Sequence, residues 1–186
     1  YLNEFEKLLP FKLTDAQKRV CSECIADMKM QRPMNRLVQG DVGSGKTAVC
    51  AALMYNAAKN GYQSALMAPT EILAEQHYKT LTSFFENSGI NCGLLTGATT
   101  KKEKTVIKEA LKNGGITVIV GTHALICDDV EFSSLGLVVT DEQHRFGVAQ
   151  RGKLSSKGKN PHTLVMSATP IPRTLGLILY GDLDIS

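Results

Sequence analysis

Apolar and polar positions alternate along the chain in two registers. Short, mostly apolar runs at Arg36-Leu37-Val38-Gln39, Ser64–Ala68, Asn91–Leu95, Ile116–Val120, Leu135–Thr140 and Thr163–Met166 have the length of strands. The segments between them carry apolar residues at helical spacing. From Thr14 to about Met28, Val20, Cys21, Cys24, Ile25 and Met28 form one stripe. Thr14 stands as its N-cap with Gln17 three residues on, a capping-box spacing that gives Gln17 a local structural role. Ala48 to Ala58 is apolar almost all round, which predicts a buried helix, stopped at Asn60-Gly61. Thr70 caps a helix with Ala74, Tyr78, Leu81 and Phe85 on one face and an end near Ser88-Gly89. Thr100 caps another, with Val106, Ile107, Ala110 and Leu111 as the expected buried stripe and Asn113-Gly114-Gly115 as its stop. Gly121 to Leu125 opens a short helix, and Pro172 suits the first turn of one running to about Tyr180. Leu8 to Phe11 reads as extended, Lys153 to Lys159 as loop, and Gly181 to Ser186 as the start of a last strand.

Strand and helix therefore repeat as a unit. Strands apolar on both faces, alternating with helices, predict an α/β fold with a mostly parallel sheet and helices on both faces. Ligands of such sheets bind at the carboxyl ends of the strands. The polar and glycine-bearing stretches 40–47, 68–71, 96–97, 121–123, 141–144 and 167–169 all fall there.

The first of these reads G-D-V-G-S-G-K-T from Gly40 to Thr47. It fits the phosphate-binding P-loop, between a short strand and a helix. Backbone N–H groups of Gly40, Gly43, Ser44 and Gly45 and the positive end of the helix dipole converge on one point, which attracts nucleotide phosphates. Gly43 and Gly45 lack the Cβ that would block this approach, Lys46 brings a mobile charge, and the Thr47 hydroxyl is placed to ligate Mg²⁺. Hydrolysis of ATP also needs a metal carboxylate and a group that orients water. Asp141 and Glu142, delivered at the end of an apolar strand, supply both: Asp141 for Mg²⁺ and Glu142 for the water.

Composition narrows the class only mildly. Of 186 residues, 43% are hydrophobic, enough for a core, and the net charge of +3 permits a nucleic-acid partner without demanding one. No apolar run reaches the roughly 18 to 20 residues of a membrane span. The five cysteines sit mostly among apolar residues, as reduced cytosolic thiols do, and Cys21-Ser-Glu-Cys24 lacks the second pair that a zinc site needs. The chain starts at Tyr and is expected to be a piece of a longer protein.

Gly40–Thr47, Asp141–His144 and Ser167-Ala168-Thr169 resemble motifs I, II and III of superfamily 2 helicases. Ala68-Pro69-Thr70-Glu71-Ile72-Leu73-Ala74 resembles motif Ia, Thr96-Gly97 and Gly121-Thr122-His123 resemble further nucleic-acid motifs, and Phe11-x-Leu13-Thr14-x-x-Gln17 resembles a Q-motif. The runs G-D-V-G-S-G-K-T, A-P-T-E-I-L-A-E-Q-H, D-E-Q-H-R-F-G and M-S-A-T-P-I-P-R-T together resemble the RecG family of bacterial ATP-dependent branched-DNA helicases over nearly the whole chain. The Mfd family of transcription-repair translocases shares D-E-x-H-R-F-G and a similar P-loop. Leu8 to Gln17 and the A-P-T-E-I-L-A-E-Q-H run favour RecG.

The resemblance implies one RecA-like domain over residues 1–186, the first motor domain of a cytoplasmic bacterial enzyme. It implies that Lys46 and Thr47 hold ATP phosphates and Mg²⁺, and that Gln17 and Phe11 contact adenine. Pro69, Thr70, Gly97 and Thr122 would lie along one DNA strand, contacting its backbone. His144, Ser167 and Thr169 would couple the nucleotide to the DNA face, with the motif III strand lying between the P-loop and motif II strands. It further implies a second RecA-like domain carrying an arginine finger and an N-terminal wedge domain, neither within these residues, and little activity for this domain alone. Arg145 and Arg151 receive no role from spacing; a surface salt bridge is the expectation. Two other classes compete. A P-loop kinase or transferase predicts an arginine-rich lid that the sequence does not show. A non-catalytic nucleotide-dependent binding module predicts that Glu142 is dispensable.

Overall fold

Each apolar run forms a strand: β1 (Asn35–Gln39), β2 (Gln63–Met67), β3 (Cys92–Leu95), β4 (Val118–Gly121), β5 (Leu135–Glu142) and β6 (His162–Ser167). The computed structural model describes residues 1–40, 45–142, 148–167 and 184–185, of which 142, 148, 149, 184 and 185 are described by backbone alone. Asp184–Ile185 forms β7, where a last strand is expected. The strands make one sheet in the order β3-β4-β2-β5-β6-β1-β7, and every described pairing is parallel.

Two helices, α1 (Leu2–Glu6) and α2 (Asp15–Met28), precede the first strand. Parallel neighbours need crossovers, and α3 (Lys46–Lys59), α4 (Glu71–Phe85), α5 (Lys101–Asn113) and α6 (Val148–Ser155) lie in the connections between successive strands. Alternate strand residues face opposite ways. Leu66, Val120, Val139 and Leu164 pack with Leu53 of α3 and Leu81 of α4. Ala65, Met67, Ile119 and Val138 pack with Leu111 of α5, Leu125 and Leu154 of α6 on the other face. The fold is the expected α/β domain with a sheet covered on both sides.

The capping chemistry read from the chain is present. Thr14 Oγ1 accepts from the Gln17 N–H at 3.2 Å, and Gln17 Oε1 accepts from the Thr14 N–H at 2.8 Å. Thr100 and Glu103 form the same reciprocal pair at the start of α5. At the other end of α2, Arg36 donates to Asp27 at 2.8 and 2.6 Å, pinning the helix end to the start of β1. That leaves the first turn of α2, with Gln17, at the carboxyl edge of the sheet.

Three expectations change. Val106 is not buried: it is 63% exposed, and α5 is seated through Leu111 with Ile107 and Ala110 partly covered. The helix packs on β3, the edge strand, so only a narrow line of it is covered. Leu8 to Phe11 is not extended but runs as turn and bend, with the Leu8 and Leu9 N–H groups donating to the Phe5 and Glu6 carbonyls, because it leaves a turn of helix over residues 2–6 that is seated by Phe5, fully buried between Tyr55 and Phe85. The stretch read as loop from Lys153 begins inside α6, anchored by the fully buried Leu154. The helix expected from Pro172 to Tyr180 lies outside the described residues.

Candidate nucleotide site

The register of the sheet assembles the site. At the carboxyl edge Gln39 of β1 stands opposite Ser167 of β6, and Ser167 stands opposite Glu142 of β5. The ends of the P-loop, motif III and motif II strands are thus consecutive neighbours, with motif III in the middle as expected. The Gly40 N–H donates to the Ser167 carbonyl at 3.1 Å, so the first residue of the P-loop is clasped to the end of β6.

Gly45 is the N-cap of α3, with φ of +81°, a conformation that glycine tolerates without strain. Its carbonyl accepts from the Ala48 and Val49 N–H groups at 3.0 and 3.3 Å. Lys46 Nζ donates to the Gly40 carbonyl at 2.6 Å, reaching back across the loop. Gly43 and Ser44 lie outside the described residues. Gln17 stands directly beside Gly45: a Cβ on that glycine would lie 2.0 Å from Gln17 Nε2. Gln17 therefore both caps α2 and borders the phosphate loop. Phe11 is 44% exposed and sets its ring edge-on to Phe84, near the far end of α4.

Asp141 is partly buried, and its Oδ2 lies 2.7 Å from His77 Nε2 on α4. The Cys50 thiol, one turn beyond Thr47 on α3, is pushed up by burial and then further by the negative charge of Asp141. β5, which carries Asp141 near its end, packs beside α3, the helix that follows the P-loop. The half-buried Thr47 hydroxyl and the Asp141 carboxylate are hard oxygen donors. Among the described residues no group of three His, Cys, Asp or Glu could form an all-protein metal cage. This donor set suits Mg²⁺, which keeps several waters and is held by one or two carboxylates plus phosphate. Glu142 continues β5, its side chain lying outside what is described; His144, Arg145 and Thr169 lie wholly outside it.

The other half of the same edge is built from the ends of β2, β4 and β3. The Ala68 N–H donates to the Gly121 carbonyl at 2.8 Å, and the Thr122 N–H donates to the Leu95 carbonyl at 3.3 Å. Thr70 Oγ1 caps α4 through the Leu73 N–H at 3.2 Å. A Cβ on Gly97 would meet Glu71 Oε1 at 3.0 Å. Three loops are thereby stitched into one rim. Thr70 and Gly97 are exposed on it and Pro69 partly so, while Thr122 is buried and the adjacent His123 is exposed.

Residues 14–178 match the DEAD/DEAH box helicase family. The chain belongs to that family. It is 56% identical over 185 residues to the ATP-dependent DNA helicase RecG of Bacillus subtilis (strain 168), covering 100% of this chain and 27% of that protein. It is 57% identical to the RecG of Thermotoga maritima, covering 98% of this chain and 24% of that one. A solved structure of RecG bound to a three-way DNA junction superposes with a TM-score of 0.87 at 55% identity, over 98% of this chain and 24% of that one. The chain thus spans about a quarter of the length of these relatives.

Two residues depart from their sequence reading. Arg151 is 4% exposed, not on the surface, because α6 packs between the 123–126 turn and β5. His77 receives no role from spacing, although it lies within the A-P-T-E-I-L-A-E-Q-H run. The available signal was a titratable side chain two turns beyond Thr70, on a helix starting at the same sheet edge. Cys21 and Cys24 are buried core residues whose thiols are pushed up to about 12, chiefly by burial.

Proposed function

We propose that residues 1–186 are the first motor domain of a RecG-type enzyme that couples ATP hydrolysis to the remodelling of branched DNA in recombination and repair. The observation that carries this is the edge-to-edge order of β1, β6 and β5, which sets Lys46, Ser167 and Asp141 at one rim. The relatives described above are RecG proteins, which supports this reading over an Mfd-type translocase.

In this reading Lys46 leaves the Gly40 carbonyl and turns to the β- and γ-phosphates, beside the N–H groups at the start of α3. Thr47 and Asp141 hold Mg²⁺, which when bound neutralises charge on the phosphates. Glu142 orients the attacking water, and Gln17, already beside the loop, reads adenine with Phe11. Pro69, Thr70 and Gly97 meet the DNA backbone without reading bases, and the buried Thr122 supports the rim from below. Ser167, tied to Gly40, relays nucleotide state, with His144 and Thr169 completing the coupling. A second RecA-like domain supplies the arginine finger, worth about 10³- to 10⁵-fold in rate. A wedge domain supplies fork specificity, and the whole acts in the bacterial cytoplasm. Among the described residues, no helix is long and apolar enough to cross a membrane.

The test is ATP hydrolysis by this chain with no DNA, with single-stranded DNA and with a branched fork, beside fluorescent-ATP binding, using Lys46→Ala as control. Lys46-dependent binding with near-background hydrolysis in all three conditions is expected for half of a split site. Robust DNA-stimulated hydrolysis by the isolated chain would overturn the split-site account, and phosphoryl transfer to a small acceptor would revive the kinase reading.

A further inference from the structure

We propose that His77 is a positioning residue that fixes the Asp141 carboxylate for Mg²⁺ and ties it to α4, the helix whose first turn lies on the DNA-facing rim. The inference rests on the nucleotide-site reading above and adds a residue and a route to it.

A carboxylate only accepts hydrogen bonds, so the 2.7 Å contact requires the proton on His77 Nε2. The two side chains are only 13% and 16% exposed, so the bond is shielded from water and holds its geometry. It occupies Oδ2 and leaves Oδ1 for a metal or a metal-bound water. Ligating carboxylates are oriented by such outer hydrogen bonds, whose loss costs about 10- to 100-fold in metal affinity.

The same bond has a mechanical consequence. His77 lies seven residues after Thr70, two helical turns or roughly 10 Å along the axis of α4. Ala74, Leu81 and Phe85 of that helix are buried in the core, so α4 moves as a rod. Any displacement of the 68–71 loop is carried to Nε2 and through it to Asp141. The sheet provides a second link, since β2 and β5 are paired with Met67 opposite Thr140. The histidine differs from it in acting on the carboxylate itself.

The experiment is binding of a fluorescent ADP analogue to this chain across a MgCl₂ titration, with and without a single-stranded oligonucleotide, for the parent, His77→Phe and His77→Gln. Phe keeps the ring volume and removes the donor; Gln returns an N–H near the place of Nε2. The expected result for His77→Phe is a half-saturating Mg²⁺ concentration raised about 10-fold or more. Binding in EDTA stays unchanged, and His77→Gln recovers most of the loss. DNA shifts the Mg²⁺ midpoint of the parent and not of His77→Phe, as linkage between two sites requires. An unchanged midpoint in His77→Phe overturns the positioning role, and a DNA shift that survives in His77→Phe overturns the coupling. If His77→Phe fails to fold, His77→Leu, which also lacks the donor, decides: a raised Mg²⁺ midpoint and a lost DNA shift support the proposal, and a parent-like midpoint or a surviving DNA shift overturns it. Nucleotide binding that survives Lys46→Ala would instead overturn the site reading, and this inference with it.

Discussion

The side-chain amide of Gln17 fills the space that a Cβ on Gly45 would need, 2.0 Å from where that carbon would stand. The same glutamine accepts the Thr14 N–H at 2.8 Å, so one side chain joins the start of α2 to the phosphate loop. Gly45→Ala is therefore expected to displace Gln17 and to strain a backbone held at φ +81° by about 1–2 kcal/mol. Nucleotide affinity and thermal stability should both fall. In a Gln17→Ala background the steric part disappears, so the double-mutant cycle should show clear non-additivity. Additive effects in the melting curves would count against the contact.

His162 predicts a pH dependence. Its Nδ1 accepts the Met34 N–H at 2.8 Å, which an imidazolium cannot do. Burial holds its pKa below the ordinary 6.5, with Asp27 opposing more weakly. The folded state therefore binds the proton less readily than the unfolded chain. The contribution is complete above about 6.5 and is lost as pH falls below it towards the folded value. The melting temperature should drop between pH 7 and 5.5. His162→Asn, whose Oδ1 can take the place of Nδ1, should show a smaller drop; equal slopes would disprove the assignment.

Gln63 is a buried polar clamp, 5% exposed. Its Nε2 donates to the Leu111 and Ile116 carbonyls at 2.9 and 2.8 Å, and its Oε1 accepts from the Ser134 N–H at 2.9 Å. Gln63→Leu leaves these backbone groups without that partner and should cost about 2–4 kcal/mol in urea unfolding. A loss below the scatter of surface variants would show that water replaces the clamp.

The thiols should separate by reactivity. Cys127 is exposed, whereas Cys21, Cys24 and Cys50 are buried with thiols pushed upward by burial. Ellman's reagent on the native chain should give one fast-reacting thiol, abolished by Cys127→Ser. Fast modification of Cys21 and Cys24 would contradict their place in the core.

Local rules were enough for much of this molecule. Thr14, Thr70 and Thr100 cap helices because a hydroxyl can accept an N–H three residues on, a relation contained within four residues of sequence. The apolar runs became strands and the all-apolar segment after the P-loop became buried α3, since periodicity and burial are the same fact seen twice. The glycine start of α3 at Gly45 and the strand end carrying Asp141 were legible for the same reason: a helix-opening glycine and an apolar run are local signals.

Other features were decided only by the tertiary structure. Val106 is exposed because α5 lies on an edge strand, and strand order is not written in any one segment. Arg151 is buried because α6 packs against the 123–126 turn and β5, which are distant in sequence. Residues 2–6 coil because Phe5 meets Tyr55 and Phe85, fifty and eighty positions away. The pairing of His77 with Asp141 spans 64 residues and exists only because crossovers bring α4 beside the end of β5. Sequence determines which groups are available and which short-range bonds they make; the packing of distant elements decides which of those groups meet.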